Sequence, residues 1–421
     1  MRHRLWFAIA GSCIAVPRTN GDGMKVAVIG CGIGGQAAAL FLKRAGHDVE
    51  IFERFPEAKP VGAGLLLQPP GQAALGALGL YRDLEPKGGR VDRLYGRTSK
   101  GRTVLDLRYA DVRESYYGLG IHRAHLFEAL HKAVWEEAIP VHLNTPIVDI
   151  DNPTAPQLIG EHGHEYGPFD LAVVAEGARS HLRKVFEPNG YDPVYPWGCL
   201  WATCADTDGR FARTLSQLVE TARIMVGVLP IGLVPGHGDT QHVALFWSLP
   251  CDAYDSWRER GLDAWKQDVL RVWPQTAPLL EQIVSLDQLT FASYSDVVMR
   301  HWRHDRCIFI GDAAHGTSPQ LGQGANLALV DAWTLAASLK AEPDIDRALW
   351  LHERVRRPHT NYYQLTSRWL TPFFQSNSSI LPALRDVFMG PAGRLPIAGR
   401  LMVQTLAGVR CWPYGLWQPP A

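Results

Sequence analysis

The chain has 421 residues, 46% of them hydrophobic, and its 42 Lys and Arg are balanced by 42 Asp and Glu. That length accommodates two or three domains with large cores. Zero formal net charge supplies no overall field for nucleic acid or anionic lipid, so the expected partners are small molecules, with no nucleic acid and no membrane contact by preference.

Residues 1–23, "MRHRLWFAIAGSCIAVPRTNGDG", open with basic residues before an apolar run and imitate a secretory signal. Two readings stand: a signal-like leader, or a dispensable segment ahead of a true start at Met24. No stretch reaches the roughly 18 uninterrupted apolar residues of a spanning helix. The seven cysteines are odd in number, scattered and never spaced as C-x-x-C. This argues against a disulfide framework or zinc site and for reduced thiols in a cytoplasmic protein.

"KVAVIG" from Lys25 is a β-branched run suited to a buried parallel strand, and "QAAALFLKRAG" has helical periodicity with a glycine stop. Between them Gly30, Gly32 and Gly35 form G-x-G-x-x-G, which permits a tight turn, close approach of a pyrophosphate and close packing of helix on strand. The next strand, "DVEIFE", ends in Glu53, where a carboxylate can accept ribose hydroxyls. This unit predicts a dinucleotide site without choosing between NAD(P) and FAD.

Farther along, "EHGHEYG" spaces His162 and His164 as a metal pair would be, but no third ligand stands near and a solvated turn is expected. From Trp197 to Phe291 the chain becomes strand-rich. Here Trp201, Met225, Pro230, Phe246 and Trp247 are candidates to line a substrate cavity, with ordinary core packing as the alternative. Then "RCIFIGDAAHGTSPQLGQGANLALVDAWTLAASL" begins with another buried strand. Asp312 stands at its carboxyl end, placed to bond a polyol hydroxyl, and a long helix starts near Gly324 with its dipole facing whatever lies beyond.

The pattern G-D-A-A-H-x-x-x-P-x-x-G-Q-G-x-N resembles the second flavin signature of the p-hydroxybenzoate hydroxylase-like family, single-component FAD-dependent aromatic-ring monooxygenases. Two further stretches resemble the same family. One is "DLAVVAEGARSHLR", with Asp170, Glu176, Gly177, Ser180 and Arg183, which departs from the family pattern by carrying Glu176 where an aspartate is usual. The other is "KPVGAGLLLQPPG", a loop running past the flavin ring, with Gly62, Gly64 and Leu66. The resemblance spans roughly residues 25–339. It implies a cofactor-binding set of Gly30, Gly32, Gly34, Gly35, Glu53, Arg54, Gly64, Leu66, Arg123, Val148, Asp312, Pro319, Gly322, Gly324, Ala325 and Asn326.

The fold expected is α/β: a Rossmann-type FAD-binding domain (residues 24–195 and 292–343), interrupted by a mixed β-sheet substrate domain (196–291) and followed by a helical tail (344–421). Capping the flavin domain is the tail's expected role, with dimerisation or contact with a membrane surface as alternatives. The implied activity is hydroxylation of an aromatic or heteroaromatic small molecule by dioxygen through a flavin hydroperoxide, with NADH or NADPH as co-substrate, in a monomer or homodimer. No nucleophile is needed, the catalytic residues stay unassigned, and His122, His242 and Tyr294 are equal candidates for a base. A halogenase or reductase on the same scaffold and a non-turnover flavoprotein are the alternatives, although "PWGCLWATC" lacks the halogenase spacing.

Overall fold

Runs such as Leu171–Val174, buried at every position, have no polar face to offer water, and they assemble into a sheet covered on both sides. Its order is Arg303–His304, Cys307–Phe309, Leu171–Val174, Lys25–Ile29, Asp48–Phe52, Val141–His142, all parallel except the first pair. The structure, a computed structural model, describes residues 23–58, 64–413 and 415–420. Residues 1–22 of the leader and Gly62 lie outside these residues. The helices Ile33–Arg44 and Gly324–Ala341 pack side by side, and the 30-residue helix Ile345–Phe374 runs along the second of them.

A second, nine-stranded mixed sheet follows the order Thr290–Ser295, Val194–Ala205, His242–Pro250, Ile224–Gly232, Arg213–Glu220, Gly89–Thr98, Gly118–His122, Gly64–Leu67, with Thr103–Arg108 beside Gly89–Thr98. It is wider than the segment 196–291 expected from sequence, because four strands from residues 64–122 join it. Glycines allow the strands to cross: a Cβ on Gly120 would stand 1.8 Å from the Pro230 carbonyl oxygen.

Side chains alternate across this sheet. Met225, Leu229 and Phe246 share a cluster on one face with Leu66 and Leu406. Val226, Val228 and Trp247 lie on the other, beneath Trp257 and Trp265 of the helix Tyr254–Val272. The tail is helical as expected, with Ile380–Arg394 and Pro396–Leu406 following the long helix, and it ends in a small hairpin that the sequence did not suggest. Among the described residues no helix is long and apolar enough to cross a membrane.

Candidate active site: two cavities with a shared wall

The turn after the first strand is closed by its glycines. Gly30 adopts φ +108°, and a Cβ there would meet the Ala175 carbonyl oxygen at 2.5 Å; on Gly35 it would meet the Gly30 oxygen at 1.9 Å. A side chain at Gly35 would push the helix off the strand, and one at Gly30 would push against the end of the neighbouring strand. Gly32 has nothing within 4 Å of a built Cβ, so the backbone there opens into space, and that space is a cavity of about 560 Å³. Gly30, Gly32, Gly34, Glu53, Arg54, Arg123, Asp312, Gly324 and Ala325 line it, together with Glu176 and Gly177. Gly35 lies beneath its wall. Val148 sits at a strand irregularity between Ile147 and Asp149, and Ile147 rather than Val148 lines the cavity.

Glu53 is held in place by the backbone: the Cys31 N–H donates to its Oε2 at 2.7 Å and the Phe55 N–H to its Oε1 at 3.0 Å. Glu176 accepts from Ser180 Oγ at 2.6 Å and from the Leu182 N–H at 3.1 Å, stabilising the start of the helix His181–Phe186. Arg183 donates to the Ala313 carbonyl at 3.1 Å, tying this segment to the flavin-like motif.

That motif rests on buried charge. The Gly311 N–H donates to Asp331 Oδ2 at 2.8 Å and His315 Nε2–H to the same oxygen at 2.6 Å, while Arg356 Nε donates to Oδ1 at 2.7 Å. Burial alone would raise the Asp331 carboxyl, but His315 and Arg356 hold it well below the ordinary carboxylate range. Arg356 Nη1 also donates to His359 Nδ1 at 2.7 Å. The proton of His359 therefore stands on Nε2, from which it donates to the Gly408 carbonyl at 2.7 Å. Asp312, next to this anchor, reaches the cavity surface yet is enclosed by protein. Burial raises its carboxyl, opposed by His315 and Arg123, and it makes no hydrogen bond to another described residue.

A second cavity, of about 270 Å³, lies on the Met225 face of the nine-stranded sheet. Trp201, Met225 and Phe246 line it as expected, with Gly64, Leu66, Pro319 and Gly322 from the expected cofactor set. Pro230 and Trp247 do not. Trp247 points to the opposite face by strand alternation, and Pro230 fills the strand crossing against Gly89 and Gly120. Asn326 lines neither cavity; its Nδ2 donates to the Leu66 and Gly322 carbonyls at 3.0 and 2.9 Å, and its Oδ1 accepts from the Gln68 N–H at 2.8 Å. It fastens the Gly64–Leu67 strand to the helix start. Arg123, Asp312, Gly324 and Ala325 line both cavities, so the N-terminus of the helix Gly324–Ala341 faces the place where the two meet.

Residues 23–353 match the family model described as an FAD binding domain. The chain is 30% identical over 375 residues to a kynurenine 3-monooxygenase of Salinispora arenicola, covering 80% of this chain and 77% of the relative. The chain belongs to the FAD-dependent aromatic-ring monooxygenases. A probable 2-heptyl-3-hydroxy-4(1H)-quinolone synthase of Rhodococcus erythropolis is 26% identical, covering 81% of this chain and 86% of the relative. Among solved structures, Klebsiella pneumoniae HpxO complexed with FAD and uric acid matches with TM-score 0.75 at 22% identity, over 91% of this chain and 97% of HpxO. The monooxygenase thus has FAD as cofactor and NADH or NADPH as co-substrate, and neither the halogenase nor the non-turnover alternative finds support in these matches.

Of the three candidate bases in this monooxygenase, only Tyr294 lines the second cavity. His122 accepts from the Ala124 N–H at 3.3 Å as a helix cap, and His242 Nδ1 bonds the Thr240 carbonyl at 2.8 Å. Tyr294 Oη accepts a 3.1 Å hydrogen bond from Trp201 Nε1–H, a group that can only donate, and burial raises its hydroxyl above the ordinary phenol range. Its hydroxyl therefore stays protonated near neutral pH, with Cys199 beside it. Sequence reasoning missed Leu94, Leu215, Gln217, Leu229, Ala292 and Leu406 in the same wall. Strand alternation from Met225 pointed to Leu229. Leu406 carried no comparable signal, since it arrives from the far tail.

Proposed function

We propose that the larger cavity holds FAD, and that the smaller one holds an uncharged aromatic or heteroaromatic ring bearing an apolar substituent, which is hydroxylated. The observation that carries this reading is the shared wall of Arg123, Asp312, Gly324 and Ala325. A dinucleotide in one cavity and a ring in the other meet there.

The donor set fits the dinucleotide. Glu53 accepts ribose hydroxyls, the open backbone at Gly32 receives the pyrophosphate, and Arg123 supplies positive charge beside it. Asp312, with lone pairs unshared among the described residues, accepts from the ribityl chain. The free amides at Gly324 and Ala325 stabilise negative charge on the ring edge. When bound there, FAD reduced by NAD(P)H would supply the chemistry that places one atom of dioxygen on the substrate ring and releases the other as water.

The protein's own work is to exclude water, orient the ring and donate one hydrogen bond. Leu66, Leu94, Leu215, Met225, Leu229 and Phe246 keep the ring-side cavity dry, and Tyr294 donates to a hydroxyl or carbonyl oxygen of the substrate. Among the described lining residues Arg123 is the one cation, and it faces Asp312 across the shared wall. An aromatic carboxylate therefore has no counter-charge of its own. The test is NAD(P)H oxidation against a panel of alkylated, uncharged heteroaromatics and of matched benzoates. An acceleration of about tenfold or more by the uncharged compounds alone is expected, a change of only about 1.4 kcal/mol in barrier. Stimulation by benzoates alone would overturn the substrate class while leaving the monooxygenase reading intact.

A further inference from the structure

We propose that the helices Ile380–Arg394 and Pro396–Leu406 seat the protein on an anionic lipid surface. Ile380, Leu384, Val387 and Phe388 recur at the spacing that puts them on one side of a helix, and all four are exposed. Leu395, just before the next helix, and Ile397 and Leu401 within it are exposed as well, Ile397 at 87%. Large aliphatic and aromatic side chains clustered in this way mark a contact surface rather than the scattered apolar residues of an ordinary exterior.

Charge decides what covers it. From residue 376 to the end the sequence holds four arginines, Arg385, Arg394, Arg400 and Arg410, against the single Asp386. Asp386 is already taken by Arg385 at 2.7 Å, and Arg394 and Arg400 are exposed without an ion pair among the described residues. A second copy meeting this face about a two-fold axis would bring Arg394 and Arg400 toward their own counterparts, with Asp386 already engaged by the buried Arg385. Anionic headgroups answer them directly, while the apolar row enters the interface between headgroups and acyl chains. The zero net charge of the whole chain conceals this local excess. Leu406, at the end of the second helix, also lines the ring-side cavity, so the seated surface and the proposed apolar substrate site share one helix; the docking itself does not depend on that substrate reading.

The experiment is co-sedimentation of the full-length, FAD-loaded protein with vesicles of phosphatidylcholine alone and of equal parts phosphatidylcholine and phosphatidylglycerol. The protein is expected to pellet with the second and stay in solution with the first, and to be released as salt is raised. Arg394→Glu with Arg400→Glu should weaken partitioning at least about tenfold. Phe388→Ser with Ile397→Ser should do the same, each variant keeping its flavin absorbance. Wild-type protein that stays in solution with both vesicles overturns the proposal, as does a charge-reversed variant that pellets like the parent. Light scattering that shows Phe388→Ser with Ile397→Ser splitting a dimer, without vesicle binding by the parent, would assign the face to a second copy instead.

Discussion

The two cavities meet at four residues but are built in opposite ways. The larger is made of backbone and buried charge: glycines that admit no Cβ, a carboxylate held by two amides, and an aspartate whose neighbouring glycine is pinned by Asp331. The smaller joins apolar side chains from strands far apart in the chain to the polar loop of residues 317–320, and is closed by Leu406 from the tail. Rigid polar construction suits a ligand that is the same in every turnover. An apolar wall sets ring size and shape and changes with any one side chain.

The contrast is broken most severely at Asp331. Its removal leaves Arg356 and His315 buried without their shared carboxylate, a loss of about 3–5 kcal/mol. Asp331→Ala should therefore lower the midpoint of chemical denaturation sharply, and a variant that melts like the parent would remove the buried network from the account.

Next in size are the two carboxylates that face the larger cavity. Asp312→Ala and Glu53→Ala should each weaken FAD binding, since a hydrogen bond to a charged group contributes about 1.5–3 kcal/mol, roughly tenfold to a hundredfold in affinity. They should differ in stability. Glu53 anchors the Cys31 and Phe55 amides, so its loss should also lower the melting temperature of the flavin-free protein, whereas Asp312 makes no such bond and its loss should not. Fluorescence titration of FAD into each apoprotein, beside thermal melts, separates the two.

The last effect is on pH. Burial lowers His352 to about 4 and His359 to about 3, with Arg356 adding to both and Asp331 opposing. In the unfolded chain both take up protons near pH 6.5, so the unfolded state binds more protons below that value. Stability contributed by the neutral histidines is complete above pH 6.5 and falls progressively as pH drops below it toward their lowered values. Melting temperatures measured between pH 7 and 5 should decline, and His359→Gln should flatten the decline.

The polar half was legible in the sequence because its parts are local. A strand, three glycines, a helix and a terminal acid occupy residues 25–53, and Asp312 stands twelve residues before Gly324 in one motif. The ring side was half legible. Trp201, Met225 and Phe246 were found by their size, but Trp247 was carried along with Phe246 because composition does not tell which face of a strand a residue takes. Pro230 was lost to a strand crossing that depends on Gly120, more than a hundred residues earlier. The sheet's recruitment of residues 64–122 had no local signature either, since parallel pairing of Gly89–Thr98 with Arg213–Glu220 joins segments distant in sequence.

The central claim is that a ring in the smaller cavity lies against the cofactor in the larger one. Its most direct test is the visible spectrum of the bound flavin during titration with an uncharged alkylated heteroaromatic, in the parent and in Ala292→Trp, which adds an indole to the ring-side wall. The account predicts a saturable spectral shift in the parent, and in the variant a full complement of FAD with the shift lost or displaced to at least about tenfold higher ligand, the equivalent of about 1.4 kcal/mol of lost binding. An identical shift at identical concentrations in both proteins would contradict it.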